Sequence, residues 1–321
     1  MYKVLIVTRT FGKYSNKPIE ILKNNGFEIF RSDNIDSLKE FDALIVGTCK
    51  VTRDMLENSS IKIIAKHGVG VDNIDLKTAT RLGIPVTITT GANSSSVAEL
   101  AIAYIFALSR NLINVHKELF ENRIWGNYSG IEISGKTLGI IGFGSIGKEV
   151  AKRAVCLGMK VLVYDPYVHK DQIKNFDVES VDFETVLKES DFVSLHVPLV
   201  DETRKMIGEK ELSLMKSSAF LINTSRGGLV DEIALANALK SKKIAGAALD
   251  VFESEPLKDS PLFDCKNVIM TPHIGAHTFE AIYKMNMMAA NSIVEFFKGQ
   301  IPENIVNREV IEILRKSGFK E

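Results

Sequence analysis

Residues 138–147 read Leu-Gly-Ile-Ile-Gly-Phe-Gly-Ser-Ile-Gly, a short apolar run, Leu138 to Ile141, passing straight into Gly142-Phe143-Gly144-Ser145-Ile146-Gly147. Behind it Val150, Ala151, Ala154 and Leu157 fall near helical spacing, so the segment predicts a strand, a tight turn and a helix. A bare G-x-G-x-x-G is weak, but the next apolar run, Val161 to Tyr164, ends in Asp165, 165 − 147 = 18 residues past the last glycine. Gly142 permits the turn, Gly144 lets a pyrophosphate approach the backbone, Gly147 allows close helix packing, and the helix N-terminus offers N–H groups to phosphates. Asp165 would accept from an adenosine ribose and repel a 2′-phosphate, which predicts NAD over NADP. The bland alternative is a glycine-rich turn in an ordinary α/β protein, with Asp165 a turn former before Pro166.

The same rhythm extends in both directions. Short apolar runs recur at Val4 to Val7, Ala43 to Val46, Ile61 to Ala65 and Val86 to Ile88 before the glycine turn. After Tyr164 they recur at Phe192 to Leu195, Ala219 to Ile222, Ala245 to Leu249 and Val268 to Met270. Runs this apolar belong to parallel strands covered by helices on both faces, and right-handed crossovers make such a sheet doubly wound. Pro18 opens a helix over Pro18 to Asn25 that Gly26 closes, and Gly158 closes the one beginning near Ser145. Long helical patterns at Ser96 to His116 and about 277 to 297 bracket the dinucleotide unit. They predict an insertion: residues 1–96 plus 288–321 form a substrate-binding domain, and residues 97–287 an NAD-binding domain.

Composition narrows the class. The 321 residues carry 40 Lys+Arg against 40 Asp+Glu, a net charge of zero that does not favour nucleic acid as a partner. Charged residues at 25% and hydrophobic ones at 45% are values of a folded globular chain. Cys49, Cys156 and Cys265 form no C-x-x-C pair, so neither a disulfide framework nor a metal site is expected, and a cytoplasmic location fits. The longest greasy stretch, Val97 to Leu108, contains Glu99 and is shorter than the roughly 20 residues of a membrane span, so no membrane partner is expected.

Polar or special residues follow the predicted strands: His67-Gly68-Val69-Gly70, Asp165, Val197-Pro198, Thr224-Ser225-Arg226, Asp250 and Pro272-His273-Ile274-Gly275. Ligands of open α/β sheets bind beyond the carboxyl ends of strands, so these groups should converge. When hydride leaves a carbinol carbon the hydroxyl proton must also go, and His273 is the natural acid/base. Glu255, on the turn from Phe252 to Pro256, would orient the imidazole and favour its charged form, and the planar fork of Arg226 would hold a carboxylate beside the reacting carbonyl. Each also has a bland reading: His273 as a loop residue, Glu255 as a solvated carboxylate, Arg226 as a partner for Asp231. Gly68 to Gly70 could present N–H groups to an anion or be an ordinary turn, and Lys66 and His67 beside it would add positive potential.

These motifs together resemble a known family. GVGVDNID (68–75), SSSVAEL (94–100), GKTLGIIGFGSIGKEVA (135–151), YDPY (164–167), HVPL (196–199), INTSRGGLVDEIAL (222–235), ALDVFESEPL (248–257) and TPHIGAHT (271–278) are similar to those of the D-isomer-specific 2-hydroxyacid dehydrogenases. The likeness is strongest to short D-3-phosphoglycerate dehydrogenases. It implies a Rossmann NAD-binding domain inserted into a flavodoxin-like substrate domain, both doubly wound parallel sheets, and a catalytic set of Arg226, Glu255 and His273. It further implies that Gly142, Gly144, Ser145, Ile146 and Gly147 meet the pyrophosphate, Asp165 the ribose, and Val197, Pro198 and Thr203 the adenine side. Thr224, Ser225, Arg226 and Asp250 would hold the nicotinamide end, with Thr89, His273, Gly275 and Ala276 completing the cleft. Val69 and Gly70 would bind the substrate carboxylate, with Lys66, Arg226 and His273 as further substrate contacts. A homodimer is implied, built from the long helix near Ser96 to His116 and the Trp125 segment.

The expected reaction interconverts a D-2-hydroxy acid and its 2-keto acid, with D-3-phosphoglycerate and 3-phosphohydroxypyruvate, the first step of serine biosynthesis, as the leading pair. Unphosphorylated acids such as lactate, glycerate/hydroxypyruvate, glyoxylate or branched acids are alternatives, as is a non-enzymatic NAD-sensing scaffold. One departure bears on that choice. Many phosphoglycerate enzymes have an arginine at or near the position of Gly47, where this chain reads Val46-Gly47-Thr48-Cys49-Lys50. Lys50, Lys66, Arg9 or Lys13 would have to replace it. The chain ends at Glu321 without room for a regulatory domain, so feedback through one is not expected.

Overall fold

A computed structural model describes residues 1–168 and 170–320. The chain divides into two compact units, an outer one of Met1–Asn93 with the chain from Ala276 onward, and an inner one of Ser94–Gly275. The outer unit begins with β1 (Tyr2–Val7), α1 (Lys17–Asn24), β2 (Phe27–Arg31), β3 (Ala43–Val46), α2 (Arg53–Glu57), β4 (Ile63–Lys66), α3 (Leu76–Arg81) and β5 (Val86–Thr87). Its five strands are parallel in the order β2-β1-β3-β4-β5, the flavodoxin-like arrangement. β3 and β4 are buried along their whole length, which is why their sequences are unbroken apolar runs apart from the terminal Lys66.

The inner unit contains α4 (Ser94–Ser109), α5 (Leu112–Phe120), β6 (Thr137–Ile141), α6 (Ser145–Cys156), β7 (Lys160–Tyr164), α7 (Lys170–Ile173) and β8 (Glu179–Ser180). It continues with α8 (Phe183–Glu189), β9 (Phe192–Leu195), α9 (Glu209–Leu214), β10 (Phe220–Asn223), α10 (Glu232–Lys240), β11 (Gly246–Leu249) and β12 (Val268–Met270). Its seven parallel strands run β12-β11-β10-β9-β6-β7-β8, so the order reverses between β6 and β9, the topological switch point of a Rossmann sheet. α11 (Phe279–Phe297) and α12 (Val310–Lys316) then return to the outer unit, where Ala289, Ala290 and Ile293 pack with Val4, Ile6, Ile45 and Ile63.

Three features differ from the sequence expectations. β2 and β8 had no clear signal because both are sheet edges, and edge residues such as Glu28 and Glu179 are exposed. The helix expected over Ser96 to His116 is two helices, bent by 61° where Asn111 adopts φ +51°. Asparagine tolerates that left-handed conformation, so nothing interrupts the apolar pattern. The units meet at 93/94 and 275/276 rather than 96/97 and 287/288. α11 is one unbroken helix capped by Thr278, whose hydroxyl accepts from the Ala281 amide, so 279–287 stay with the rest of that helix. Among the described residues no single helix is long and apolar enough to cross a membrane.

Candidate active site

Strand register explains how distant residues come to stand side by side in the inner unit. Ile141 pairs with Tyr164 and Leu195, Asn223 with Leu195 and Leu249, and Leu249 with Met270. The residues one step beyond, Asp165, Gly142, His196, Thr224, Asp250 and Thr271, therefore form a single row along the carboxyl edge. The turn from Gly142 to Gly147 rises from the middle of that row. Gly142 has φ +96°, and a Cβ there would lie 2.6 Å from the His196 carbonyl oxygen; one on Gly147 would lie 2.1 Å from the Gly142 carbonyl oxygen. Both glycines are thus demanded by packing.

Gly144 is different. A Cβ at Gly144 would meet nothing within 4 Å, and Gly144 caps α6 with no side chain to close the helix. The first helical bond runs from the Lys148 amide to the Gly144 carbonyl, so the amides of Ser145, Ile146 and Gly147 find no acceptor among the described residues. That combination of open space and unpaired N–H groups fits a pyrophosphate. Asp165 accepts from the Phe143 amide at 2.7 Å and the Tyr167 amide at 2.9 Å, which fixes its carboxylate beside the turn with lone pairs remaining for ribose hydroxyls. Two atoms of the row, His196 Nδ1 and Thr224 Oγ1, are buried without a partner among the described residues, as expected where a ligand or water completes the hydrogen bonding. Thr203 braces the loop after β9 through the Pro198 carbonyl and Val200 amide, and Ser225 donates to the Val197 carbonyl at 2.6 Å.

His273 and Glu255 pair at the other end of the row. His273 Nδ1 donates to Glu255 Oε2 at 2.6 Å, which leaves Nε2 as the ring nitrogen available for proton transfer. The Phe252 amide donates to the other Glu255 oxygen at 3.1 Å. Burial pushes the Glu255 carboxyl up, but the hydrogen bond and charge of His273, the Phe252 amide and the Arg226 guanidinium outweigh it and hold the group below its ordinary value. Glu255 is therefore an anion beside the imidazole. Asn223 positions Arg226 by donating to its carbonyl at 2.8 Å while accepting from the Ser225 amide. Gly227 lets the two loops meet: a Cβ there would lie 1.8 Å from the Phe252 carbonyl carbon. Asp231, weighed as a partner for Arg226, caps α10 and bonds Lys205.

In the outer unit the turn after β4 is held by Thr89, whose hydroxyl accepts from the Gly68 amide and whose amide donates to the Gly68 carbonyl. The amides of Val69 and Gly70 find no acceptor among the described residues, so this turn can hold a carboxylate. Lys66 is only 5% exposed and its ammonium donates to the Gly47 carbonyl and to Asn73 Oδ1. His67 corrects the sequence reading. It donates from Nε2 to Asn286 Oδ1 at 2.7 Å, and burial, helped by the charges of Lys66 and His277, takes it down to about 4 although the Asn286 bond opposes the fall. It adds no positive potential at neutral pH. Asn223, Asn286, Ser96, Tyr104 and Thr271 were not singled out from sequence; Tyr104 alone carries a visible signal, a phenol amid the apolar run of α4.

Residues 102–275 match the family described as D-isomer specific 2-hydroxyacid dehydrogenase, NAD binding domain. The chain is 47% identical to a glyoxylate reductase of Thermococcus litoralis over 287 residues, 86% of this chain and 87% of that protein. It is 45% identical to a D-3-phosphoglycerate dehydrogenase of Methanocaldococcus jannaschii over 86% of this chain but only 54% of the longer relative. The NAD complexed form of a D-isomer specific 2-hydroxyacid dehydrogenase from Lactobacillus delbrueckii ssp. bulgaricus matches with a TM-score of 0.76 and 29% identity, over 95% of this chain and 99% of that one.

Proposed function

The chain belongs to the D-isomer specific 2-hydroxyacid dehydrogenases, NAD-dependent enzymes acting on a CH–OH donor, and from that premise we propose that it reduces a small unphosphorylated 2-keto acid such as glyoxylate or hydroxypyruvate. The observation that carries the chemistry is the 2.6 Å pair of His273 and Glu255 with Arg226 close enough to lower the carboxyl. His273 holds the transferable proton at Nε2, and the anionic Glu255 keeps the ring oriented and supports its charged form. Arg226 orients the substrate carboxylate and polarises the adjacent carbonyl. NADH, when bound, supplies the hydride; Gly144, Ser145, Ile146, Asp165, Thr224 and Asp250 would hold it.

The preference for an unphosphorylated substrate is supported by the outer strand ends. At Gly47 a side chain would begin 3.2 Å from the Thr8 Cβ, a tight contact that Thr8 would have to relieve by shifting a few tenths of an ångström. Three of the four candidate replacement cations have other engagements, Lys66 with Gly47 and Asn73, Arg9 with Asp33, and Lys13 over the Tyr14 ring, which leaves Lys50 as the candidate that the substrate screen must test. A phosphate needs charge-assisted donors, and of these candidates the buried Lys66 is the one most firmly committed to other partners. A second reading, phosphohydroxypyruvate, is favoured by the 45% identity to a phosphoglycerate dehydrogenase. Following NADH oxidation with glyoxylate, hydroxypyruvate, pyruvate and phosphohydroxypyruvate separates the two. A higher kcat/KM for the phosphorylated acid would overturn the first reading.

The protein is further proposed to act as a homodimer. α5 has no buried residue, yet Leu112, Ile113, Leu119 and Phe120 are exposed and Trp125 is 90% exposed. An apolar helix face of this kind calls for a partner, and a second copy is the one always available. Light scattering on the purified chain, with Trp125→Glu alongside, tests this; a monomeric wild type would end the proposal.

A further inference from the structure

Helix α4 grips the chain on both sides of His273. The Ser96 hydroxyl donates to the Gly275 carbonyl at 2.6 Å, and two turns further on the Tyr104 hydroxyl bonds Thr271 Oγ1, which in turn bonds Asp250 Oδ1. The direction of that relay follows from the donors available. A carboxylate has no hydrogen to give, so Thr271 donates to Asp250; the single Thr271 hydrogen being used, Tyr104 must donate to Thr271. Tyr104 is 3% exposed in a core with Ala101, Ile105, Leu138 and Phe143, where a phenylalanine ring would fill the same space. Burial, joined by the Asp250 charge, pushes its phenol upward against the pull of the Thr271 bond, so it remains a donor throughout the working range of pH.

Asp250, at the end of this relay, is where the His273 turn is fastened. Its Oδ1 also accepts from the Ile274 amide at 2.8 Å, its Oδ2 from the Gly275 amide at 2.7 Å, and its carbonyl from the His273 amide at 2.8 Å. Those bonds hold His273 at φ +54°, a left-handed conformation that a side-chain-bearing residue adopts only when its surroundings enforce it. The orientation of the Asp250 carboxylate thus fixes the position of the imidazole. Among the described residues Thr271 is the one side chain that bonds the Asp250 carboxylate, beside the Ile274 and Gly275 amides, and Tyr104 helps keep the Thr271 hydroxyl, rather than its methyl, turned toward Asp250.

We propose that Tyr104, acting through Thr271 and Asp250, is a positioning residue for the acid/base His273, a role that rests on the assignment of His273 made above. Its loss misplaces the imidazole without removing any group that touches substrate, so the effect falls on kcat rather than on KM. The test uses the full chain with NADH and whichever keto acid turns over fastest in the screen above. Tyr104→Phe and Thr271→Val are each expected to lower kcat by about tenfold or more, with the KM for the keto acid changed by less than about threefold. Thr271→Ser keeps the hydroxyl and is expected to stay within about twofold of wild type. The double variant Y104F/T271V should be no slower than T271V alone, because both act along one path.

Wild-type kcat in both Y104F and T271V, with only a lowered Tm, would overturn the proposal by making the relay merely structural; multiplicative losses in the double variant would overturn it as well. Should Y104F fail to fold, the contrast between T271V and T271S carries the test. His273→Ala is measured in parallel. Turnover surviving that change would bring down the acid/base assignment, whereas a dead His273→Ala beside an unimpaired Y104F would bring down this inference alone.

Discussion

The two units share a parallel sheet and a glycine-rich turn beyond a central strand, yet those turns do opposite things with the helix that follows. In the inner unit Gly144 leads directly into the 12-residue α6, with no capping side chain and open space where its own would be. In the outer unit Gly68 to Gly70 leads through a bend into the six-residue α3, whose N-terminus is closed by the Asp75 carboxylate accepting from the Thr78 amide at 2.9 Å. A helix start capped by its own anion has a leading N–H group taken and its positive potential offset, which disfavours a phosphate there. One fold principle therefore yields, in one unit, an uncapped helix start with amides free among the described residues and, in the other, a turn whose following helix is already capped. What distinguishes them is the residue at the helix cap, not the sheet.

The sharpest division of labour to test is the proposal that proton chemistry sits in the inner row, on His273. His273→Ala is expected to reduce turnover by about a thousandfold, within the range for loss of a general acid/base, while a fluorescence titration shows NADH affinity nearly unchanged. Comparable loss on replacing His67 by Gln, with His273→Ala still active, would move the acid/base into the outer unit. Next in size is the cofactor preference. Asp165→Ala should raise NADPH affinity relative to NADH by at least about tenfold, since a carboxylate fixed by the Phe143 and Tyr167 amides no longer opposes a 2′-phosphate. Wild-type protein binding both equally would end that role.

A matched pair of substitutions sharpens the contrast between the helix starts. Gly144→Ala places a methyl in open space, so Tm should hardly move while NADH affinity falls by about tenfold, the methyl standing where the pyrophosphate approaches. Asp75→Ala should do the reverse, removing about 1 kcal/mol of stability with the lost cap and leaving NADH affinity alone. If Gly144→Ala weakened the fold and Asp75→Ala the cofactor, the roles assigned to the two turns would be exchanged.

How much of this could be read in advance follows from burial. Central strands such as Ala43–Val46 lie between two layers of helices, so every position is apolar and the run is unmistakable. β8, two exposed residues at an edge, leaves no such trace. Arg226, Glu255 and His273 could be singled out because each follows a buried run where sheets of this class place their chemistry, and the structure sets His273 against Glu255. The supporting residues could not. Tyr104 and Thr271 are 167 positions apart, Ser96 and Gly275 179 apart, and only the folded chain makes them neighbours. His67 was misjudged for a related reason: local sequence gives its charge type but not the burial that neutralises it, just as it does not show that Lys66 beside it is buried.

The smallest expected effect uses a buried histidine in each unit. His67 and His196 are both taken down to about 4 by burial, so each is neutral in the native chain well below the pH at which it would charge when unfolded. Between about pH 6.5 and pH 4 the unfolded chain binds the additional protons, so stability rises with pH there and is lost as pH falls. At pH 5.5 each histidine should withdraw about 1 kcal/mol relative to neutral pH. Melting curves at pH 7.5 and 5.5 measure the sum, and His67→Gln, which can still donate to Asn286, should remove the outer unit's share of the slope. His196 differs in that its Nδ1 lacks a partner among the described residues, while Nε2 lies 2.9 Å from the Ser194 hydroxyl. Bound cofactor or an ordered water that bonds Nδ1 would alter the inner share alone. A pH-dependent Tm that responds to NADH in His67→Gln as it does in wild type would assign the responsive histidine to the dinucleotide row; a response lost with His67 would assign it to the outer unit instead.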